Sequence, residues 1–366
     1  MSIPLKVLAS NDSFAVLQAL PDVLDGKSAL FVRPNLDDES FGEVDARIAL
    51  IVESSGSTGT PKRIHISRDA LLASARASIE RLGAPGQWLL ALPAHYIAGM
   101  QVLVRSILSD RQPVLMNPSV SFTAEGFVRS ASLMQGTHRY SSLVPAQLEL
   151  LATAINNDPS VLVALRSFDR ILVGGQATNP ATLQRLLELG VNLTITYGMT
   201  ETCGGCVYDG VPLTGVEIDI DEAGQILLAG PMLAEGIGAR FATADLGFFD
   251  ELGRLQIVGR ADRVINSGGI KLSLDRVEQW AQQQPGITSA VAVPITHPRF
   301  GETFACWFTS AEESTINSED AVSALGLAAK QAAWKRVSSI PALSSGKPDL
   351  LAIASAEREQ AASSDN

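Results

Sequence analysis

The stretch Ser54-Ser55-Gly56-Ser57-Thr58-Gly59-Thr60-Pro61-Lys62 is a loop of hydroxyls and glycines that ends in a lysine. An apolar run at 48–52 precedes it, and a short β-like segment at 63–66 follows. Glycines allow positive φ and let backbone N–H groups approach an anion closely. The hydroxyls and the ammonium add donors for phosphate oxygens. The loop is not a Walker A loop, because G-x-x-x-x-G-K-[ST] cannot be fitted to it. Alone, such a segment also reads as a plain Ser/Gly/Thr turn. What surrounds it decides between the two.

Up to about residue 200, β-like and helical runs alternate. Strands are expected at 87–92, 113–116, 140–144, 170–173 and 193–197. Helices are expected from the N-cap Ser67 to Leu82 with Gly83 beyond, from near Ala98, over 146–155, and over 180–189 before Gly190. Alternation of this kind predicts α/β layers with largely parallel pairing. After Gly204 the pattern changes to short strands at 216–219, 225–229, 239–241, 247–249 and 255–258. Two acidic, glycine-ended turns, 221–224 and 250–253, separate some of them. This predicts a small β subdomain at about 211–260, closing a first domain of residues 1–260. Residues 261–353 read as a separate α+β domain, with a helix after Ser273, strands at 290–293 and 304–308, and a helix over 320–334. The Ser/Ala/Glu-rich end, 354–366, is expected to be disordered.

The chain has 366 residues, 46% hydrophobic and 18% charged, with a net charge of −11 and a pI near 4.9. That composition suits a folded protein with a sizeable core. It argues against nucleic acid or an anionic membrane as the main partner, since both need a basic footprint. An anionic substrate must then be held by local donors. No basic stretch followed by an apolar core opens the chain, and no apolar run reaches transmembrane length, so no membrane insertion is expected. Three cysteines in a long chain point to a reducing compartment, the cytoplasm, with no disulfide framework.

Four further segments stand in order behind the first loop. They are Tyr197-Gly198-Met199-Thr200-Glu201-Thr202, Thr243-Ala244-Asp245, the run GRADRVINSGGIKLSLDRVE at 259–278, and Pro341-Ala342-Leu343-Ser344-Ser345-Gly346-Lys347. With SSGSTGTPK they resemble the signature motifs of the adenylate-forming superfamily, which contains acyl-CoA synthetases, peptide-synthetase adenylation domains and luciferases. The resemblance covers roughly residues 48–350. Each motif alone is a weak signal, but their shared order is specific. Within the superfamily the chain looks most like the o-succinylbenzoate–CoA ligases of menaquinone biosynthesis, in their short bacterial form. The segments behind that are LPAHYIAGMQVLVRS (92–106), LVGGQATNP (172–180) and YGMTETCGGCVYDG (197–210).

The resemblance implies a large layered α/β domain with a small β subdomain, followed by a mobile C-terminal α+β lid. The phosphate loop begins earlier than in typical relatives, so the large domain is expected to be abbreviated. The implied reaction is AMP transfer from ATP to a carboxylate, which converts a poor electrophile into a mixed anhydride that a thiol can attack. Such a step needs charge neutralisation and alignment more than proton transfer. The resemblance implies that Ser54, Ser55, Gly56, Ser57, Thr58, Gly59 and Lys62 hold the phosphates. Thr200 touches phosphate, and Glu201 binds the Mg²⁺ that bridges ATP oxygens. Gly174, Gly175, Gln176, Tyr197 and Gly198 form the adenine slot. Asp245 and Arg260 take the ribose, and Lys347 meets the carboxylate and α-phosphate. Asp262 matches the hinge about which the lid turns, and Gly268-Gly269 lines the entry for coenzyme A. His95, Tyr96 and Gly99 fall in the segment that lines the acyl pocket, and Arg105 suits the second carboxylate of a dicarboxylic acid.

Each residue also has an ordinary structural reading. Asp245 could begin a turn, Glu201 could be a solvated loop acid, Arg105 and Lys347 surface cations, and His95 a core histidine. Cys203-Gly204-Gly205-Cys206 has C-x-x-C spacing, but only Cys306 lies elsewhere, so small pocket-lining residues are a better reading than zinc. Ala244 replaces the family's usual glycine, which negative φ would tolerate. The implied partners are a small carboxylic acid, ATP and coenzyme A, with a homodimer left open. The alternatives are another aryl- or acyl-CoA synthetase, an acyl-AMP ligase that loads a carrier protein, and a catalytically dead nucleotide sensor.

Overall fold

The computed structural model describes residues 1–34, 36, 42–54, 62–310, 314–343 and 347–364; of Ser54 and 361–364 it describes the backbone alone. The chain forms two compact units. The first comprises Met1–Thr178, Thr182–Asp219 and Leu227–Phe241; the second holds Asn179–Ala181, Ile220–Ile226 and the chain from Ala242 onward. The division falls at 241/242, ahead of the 260/261 boundary read from the sequence.

Five strands open the first unit: β1 (Ser2–Ala9), β2 (Ala29–Arg33), β3 (Glu43–Asp45), β4 (Ile48–Ser54) and β5 (Lys62–Ser67), in the order β3-β1-β2-β4-β5. β1, β2 and β4 are parallel, while β3 and β5 run antiparallel to their neighbours. Helix α1 (Ser13–Leu24) links β1 to β2. β4 reads as an unbroken apolar run because both of its faces are covered. Ala49, Leu50 and Val52 join the main core, and Ile48 and Ile51 a smaller one behind it. Helix α2 (Arg68–Leu82) is bounded as expected: the Ser67 side chain accepts from Ala70 N–H, and Gly83 ends it in the left-handed region at φ 88°.

A second sheet follows: β6 (Gln87–Leu90), β7 (Val114–Leu115), β8 (Arg139–Leu143), β9 (Arg170–Gly174), β10 (Leu193–Met199), β11 (Gly204–Tyr208) and β12 (Val211–Pro212). Their order is β12-β11-β10-β9-β8-β6-β7. β6 to β10 pair in parallel, as the alternation predicts, and β11 turns back antiparallel on β10. Between them lie α3 (Ile97–Leu108), α4 (Ala124–Ser132), α5 (Pro145–Ala154), α6 (Pro159–Arg166) and α7 (Pro180–Glu188). Alternate residues serve opposite faces: Trp88, Leu90 and Leu172 enter the core shared with α1 to α3, and Leu89, Ile171 and Val173 enter the core under α4 to α7. The layered α/β class is thus observed.

A third sheet has the order β13 (Glu217–Ile220), β14 (Gln225–Ala229), β15 (Arg240–Phe249), β16 (Leu255–Arg260). β15 is one strand where two were expected. It bulges between Leu246 and Gly247 instead of breaking, and Thr243 and Asp245 lie inside it. Ala244 lies in the same strand and is not among the residues with positive φ, so the alanine costs no strain there.

The fourth sheet contains β17 (Val264–Ser267), β18 (Ile270–Ser273), β19 (Ile287–His297), β20 (Gly301–Ser310) and β21 (Ala333–Arg336), ordered β18-β17-β20-β19 with β21 parallel to β20. Helix α8 (Leu274–Gln282) starts at Ser273 as predicted and buries Leu274, Val277 and Ala281. Two expectations fail here. The helix over 320–334 is α9 (Ser318–Leu325), stopped by Gly326 at φ 87°, and Trp334 instead lies in β21. The tail expected to be disordered carries α10 (Leu350–Ser364). Ile353 is fully buried, and the buried Glu357 carboxylate accepts from Lys335 Nζ at 2.7 Å and Trp307 Nε1 at 2.6 Å. A local composition reading cannot see these long-range anchors.

Candidate active site

In a parallel α/β sheet, ligands collect outside the carboxyl ends of the strands. The sequence-predicted residues of the first unit lie at or next to those ends, except Arg105, which sits two turns into α3 over Trp88 near the amino end of β6. β6 leads into His95 and Tyr96, β9 ends at Gly174 with Gly175 and Gln176 next, and β10 carries Tyr197 and Gly198 and runs into a single 3-10 turn, Thr200–Thr202. The predicted phosphate loop leaves from the carboxyl end of β4. Ser54, the last residue of that strand, pairs with Lys62 at the start of β5. Ser55, Gly56, Ser57, Thr58 and Gly59 lie outside the described residues. β5 packs against the Thr200–Thr202 turn. A bridging segment ties the two: Ala234 N–H donates to Glu201 O and Glu235 N–H to His65 O, both at 2.9 Å. The strand that Lys62 opens is therefore tied, at His65, beside the turn that carries Thr200 and Glu201.

The turn after β10 is held tightly. Gly198 has φ 157°, and a Cβ there would stand 2.1 Å from the Gly204 carbonyl oxygen, so the return of β11 demands glycine. The buried Thr202 hydroxyl lies 2.8 Å from Gly204 O and accepts from Met199 N–H at 2.9 Å. Glu201 sits half-buried on this turn.

His95 is 9% exposed, and neither ring nitrogen has a hydrogen-bond partner among the described residues. Burial lowers its pKa to about 4, so the ring is neutral at neutral pH. Its ring centroid is 4.0 Å from that of Tyr96. Gly99 is buried in the first turn of α3. Arg105 is not a surface cation. It is 5% exposed, its Nε donates to Gln101 O at 2.8 Å, and one terminal nitrogen donates to Ser78 Oγ at 3.2 Å. The guanidinium lies 4.3 Å from the Trp88 ring centroid. It makes no ion pair among the described residues, and burial pulls its pKa down. A buried cation without an acid partner is costly, and an anionic ligand would relieve that cost.

Cys203, Cys206 and Cys306 are free and buried. Burial pushes the Cys206 thiol up to about 12, which leaves it un-ionised and unreactive at neutral pH. Among the described residues, no three His, Cys, Asp or Glu side chains gather as a metal site.

In the second unit, Asp245 and Arg260 are cross-strand partners on β15 and β16, with Arg260 Nη1 3.6 Å from Asp245 Oδ1. The same guanidinium grips Asp262 with two bonds of 2.8 and 2.6 Å, which hold that carboxyl below the usual range. Ribose and hinge candidates thus share one arginine. Gly268 and Gly269, at φ 59° and 91°, make the two-residue turn between β17 and β18. Lys347 is exposed, and its carbonyl accepts from Leu343 N–H at 2.8 Å. Sequence reading missed the buried polar residues Ser74, Ser78, Gln101 and Tyr208; Gln101 and Tyr208 lie inside the segments 92–106 and 197–210 but carried no assigned role there, and Ser74 and Ser78 lie outside the quoted motifs.

A family profile described as AMP-binding enzyme matches residues 14–237. The chain is 36% identical over 318 residues to a protein of Mycobacterium tuberculosis named probable 2-succinylbenzoate–CoA ligase, covering 81% of this chain and 82% of that one. It is 27% identical over 283 residues to the 2-succinylbenzoate–CoA ligase of Lactococcus lactis, covering 70% and 60%. Its fold matches the o-succinylbenzoate CoA synthetase of Bacillus subtilis, solved with its acyl-adenylate intermediate, at a TM-score of 0.71 with 21% identity over 95% of this chain and 82% of the other. It also matches the amide bond synthetase McbA of Marinactinospora thermotolerans at a TM-score of 0.73 with 21% identity, over 96% and 79%. The ordered motifs and the matching profile lead to one conclusion: this chain belongs to the AMP-binding enzyme family.

Proposed function

We propose that the chain is an ATP-dependent acid–thiol ligase that activates 2-succinylbenzoate and transfers it to coenzyme A, a step of menaquinone biosynthesis. The observation that supports this most is the packing of β5, which Lys62 opens, against the turn of Thr200 and Glu201, which follows β10 with Tyr197, in the sheet whose β9 ends at Gly174. The names of the relatives from Mycobacterium tuberculosis and Lactococcus lactis support the choice of acid. The buried guanidinium of Arg105, which has no acid partner among the described residues, would suit an acid with a second carboxylate.

The chemistry has two steps. A carboxylate oxygen attacks the α-phosphorus, the bond to the β-phosphate oxygen breaks, and pyrophosphate leaves. The sulfur of coenzyme A then attacks the acyl carbon, the bond to AMP breaks, and the thiol proton passes to solvent. Negative charge crowds at the first step, so the residues serve to neutralise and align. The loop from Ser54 to Lys62 and the Thr200 hydroxyl would hold the phosphates. Mg²⁺ takes one or two carboxylates plus substrate oxygens, and the single carboxylate of Glu201 fits that pattern better than a protein-only cage. The ion would neutralise phosphate charge. Gly174, Gly175, Gln176, Tyr197 and Gly198 would border the adenine, and Asp245 and Arg260 would take the ribose. Lys347 would supply positive charge to the reacting oxygens. Asp262 would be the pivot, and Gly268-Gly269 would border the path of coenzyme A. Neutral His95 would offer a hydrogen bond, not charge, to the acyl group near Tyr96 and Gly99. Three buried free cysteines suit the cytoplasm.

A panel of carboxylic acids assayed for pyrophosphate release, with and without coenzyme A, tests this reading. Release with 2-succinylbenzoate and formation of its thioester are expected. Preference for a monoacid, or transfer only to a carrier protein, would replace the assignment, and ATP binding without release for any acid would mark a sensor.

A further inference from the structure

Directly behind Thr200 and Glu201 stands Cys203, which has no part in the chemistry above. Its backbone is left-handed, φ 54° and ψ 33°, a conformation that residues with a Cβ hold only when their surroundings enforce it. Its N–H donates to Thr200 O at 3.1 Å and closes the turn. Its carbonyl receives two side-chain donors from two different helices, Ser74 Oγ of α2 at 3.1 Å and Gln101 Nε2 of α3 at 2.9 Å. Both side chains are almost fully buried, Ser74 at 6% and Gln101 at 3% exposure. Glu201 is fixed from the other side by Ala234.

We infer that Gln101 and Ser74 are positioning residues that, by clamping the Cys203 carbonyl, set the direction in which Thr200 and Glu201 leave their turn. This rests on the reading of Glu201 as the magnesium-binding carboxylate. The physical reason is that a 3-10 turn of three residues has little rigidity of its own. Thr202 fixes its floor, but the exit at Cys203 is held chiefly by these two donors. Losing both leaves a buried carbonyl unpaired and allows the left-handed residue to relax, which swings the carboxylate.

The test uses Gln101→Leu, Ser74→Ala and the double variant, with Ser74→Thr as the conservative control. Amide hydrogen exchange of the peptide spanning 199–206 reads the clamp without any ligand. Loss of one buried hydrogen bond corresponds to about tenfold easier local opening, so exchange is expected to rise about tenfold in each single variant and further in the double. Peptides of β9 should not change, and Ser74→Thr should stay near wild type. In carboxylate-dependent ATP–pyrophosphate exchange, the Mg²⁺ concentration at half-saturation should rise about tenfold while KM for the acid holds. Unchanged exchange at 199–206 would overturn the inference. So would lost activity with unchanged Mg²⁺ half-saturation, which is what a merely structural defect produces. If Gln101→Leu does not fold, Ser74→Ala carries both measurements. Wild-type protein without Mg²⁺-dependent activity would remove the role of Glu201, whereas hydrogen exchange would still decide the clamp.

Discussion

His95→Phe should make the protein less sensitive to acid while weakening its grip on the acyl substrate. The imidazole is buried with neither nitrogen partnered among the described residues and its pKa held at about 4, against about 6.5 in an unfolded chain. Between those values the unfolded state binds a proton that the native state refuses. Stability therefore rises with pH through this window, and it is lost as pH falls from 6.5 towards 4. A gap of about 2.5 units corresponds to about 3 kcal/mol lost across the window. Phenylalanine keeps the ring, cannot titrate, and removes two unpaired buried polar atoms, each of which costs about 1–3 kcal/mol. Urea unfolding of both proteins at pH 7, 6, 5 and 4.5 checks this. At pH 7 the variant should match or exceed wild type, and the difference in its favour should grow by about 2–3 kcal/mol by pH 4.5. The variant should also show a raised KM for the acid. A stability difference that stays constant from pH 7 to 4.5 would refute the reasoning, because the ring could not then be a buried neutral base.

Gly198→Ala places a Cβ against the Gly204 carbonyl and should force β10 and β11 apart beside Thr200. We expect about 2–4 kcal/mol of lost stability and about a hundredfold loss in pyrophosphate exchange, read by unfolding and by kinetics on the folded fraction. Arg105→Ala removes the cation from the face of Trp88 and should raise KM for 2-succinylbenzoate at least tenfold while sparing monoacids; equal loss for both classes would make Arg105 purely structural. Asp262→Pro locks φ beside the Arg260 contact and should slow thioester formation more than adenylation. Equal loss in the two half-reactions, assayed separately, would count against a pivot there.

Much of the large α/β domain was legible in the sequence because its signals are local. The apolar run 48–52, the Ser67 cap with Gly83 beyond α2, and the acidic turns 221–224 and 250–253 each lie within a few residues of what they specify. Misreadings arose where distant contacts decide. Residues 242–246 look like a gap between strands but are carried through by pairing with β16. Trp334 fits a helical pattern but pairs in β21 against β20. The last helix holds through Ile353 and the contacts of Glu357 with Lys335 and Trp307.

The sequence by itself determined which chemistry-bearing residues the chain carries and in what order, since a motif is a property of neighbours along the backbone. Only the tertiary structure decided their electrical and mechanical state. It buried His95 to neutrality, stacked Arg105 on Trp88, and capped the Cys203 carbonyl from two helices. Desolvation and hydrogen bonding depend on what lies a few ångströms away in space, and here those partners come from positions up to 129 residues distant along the chain.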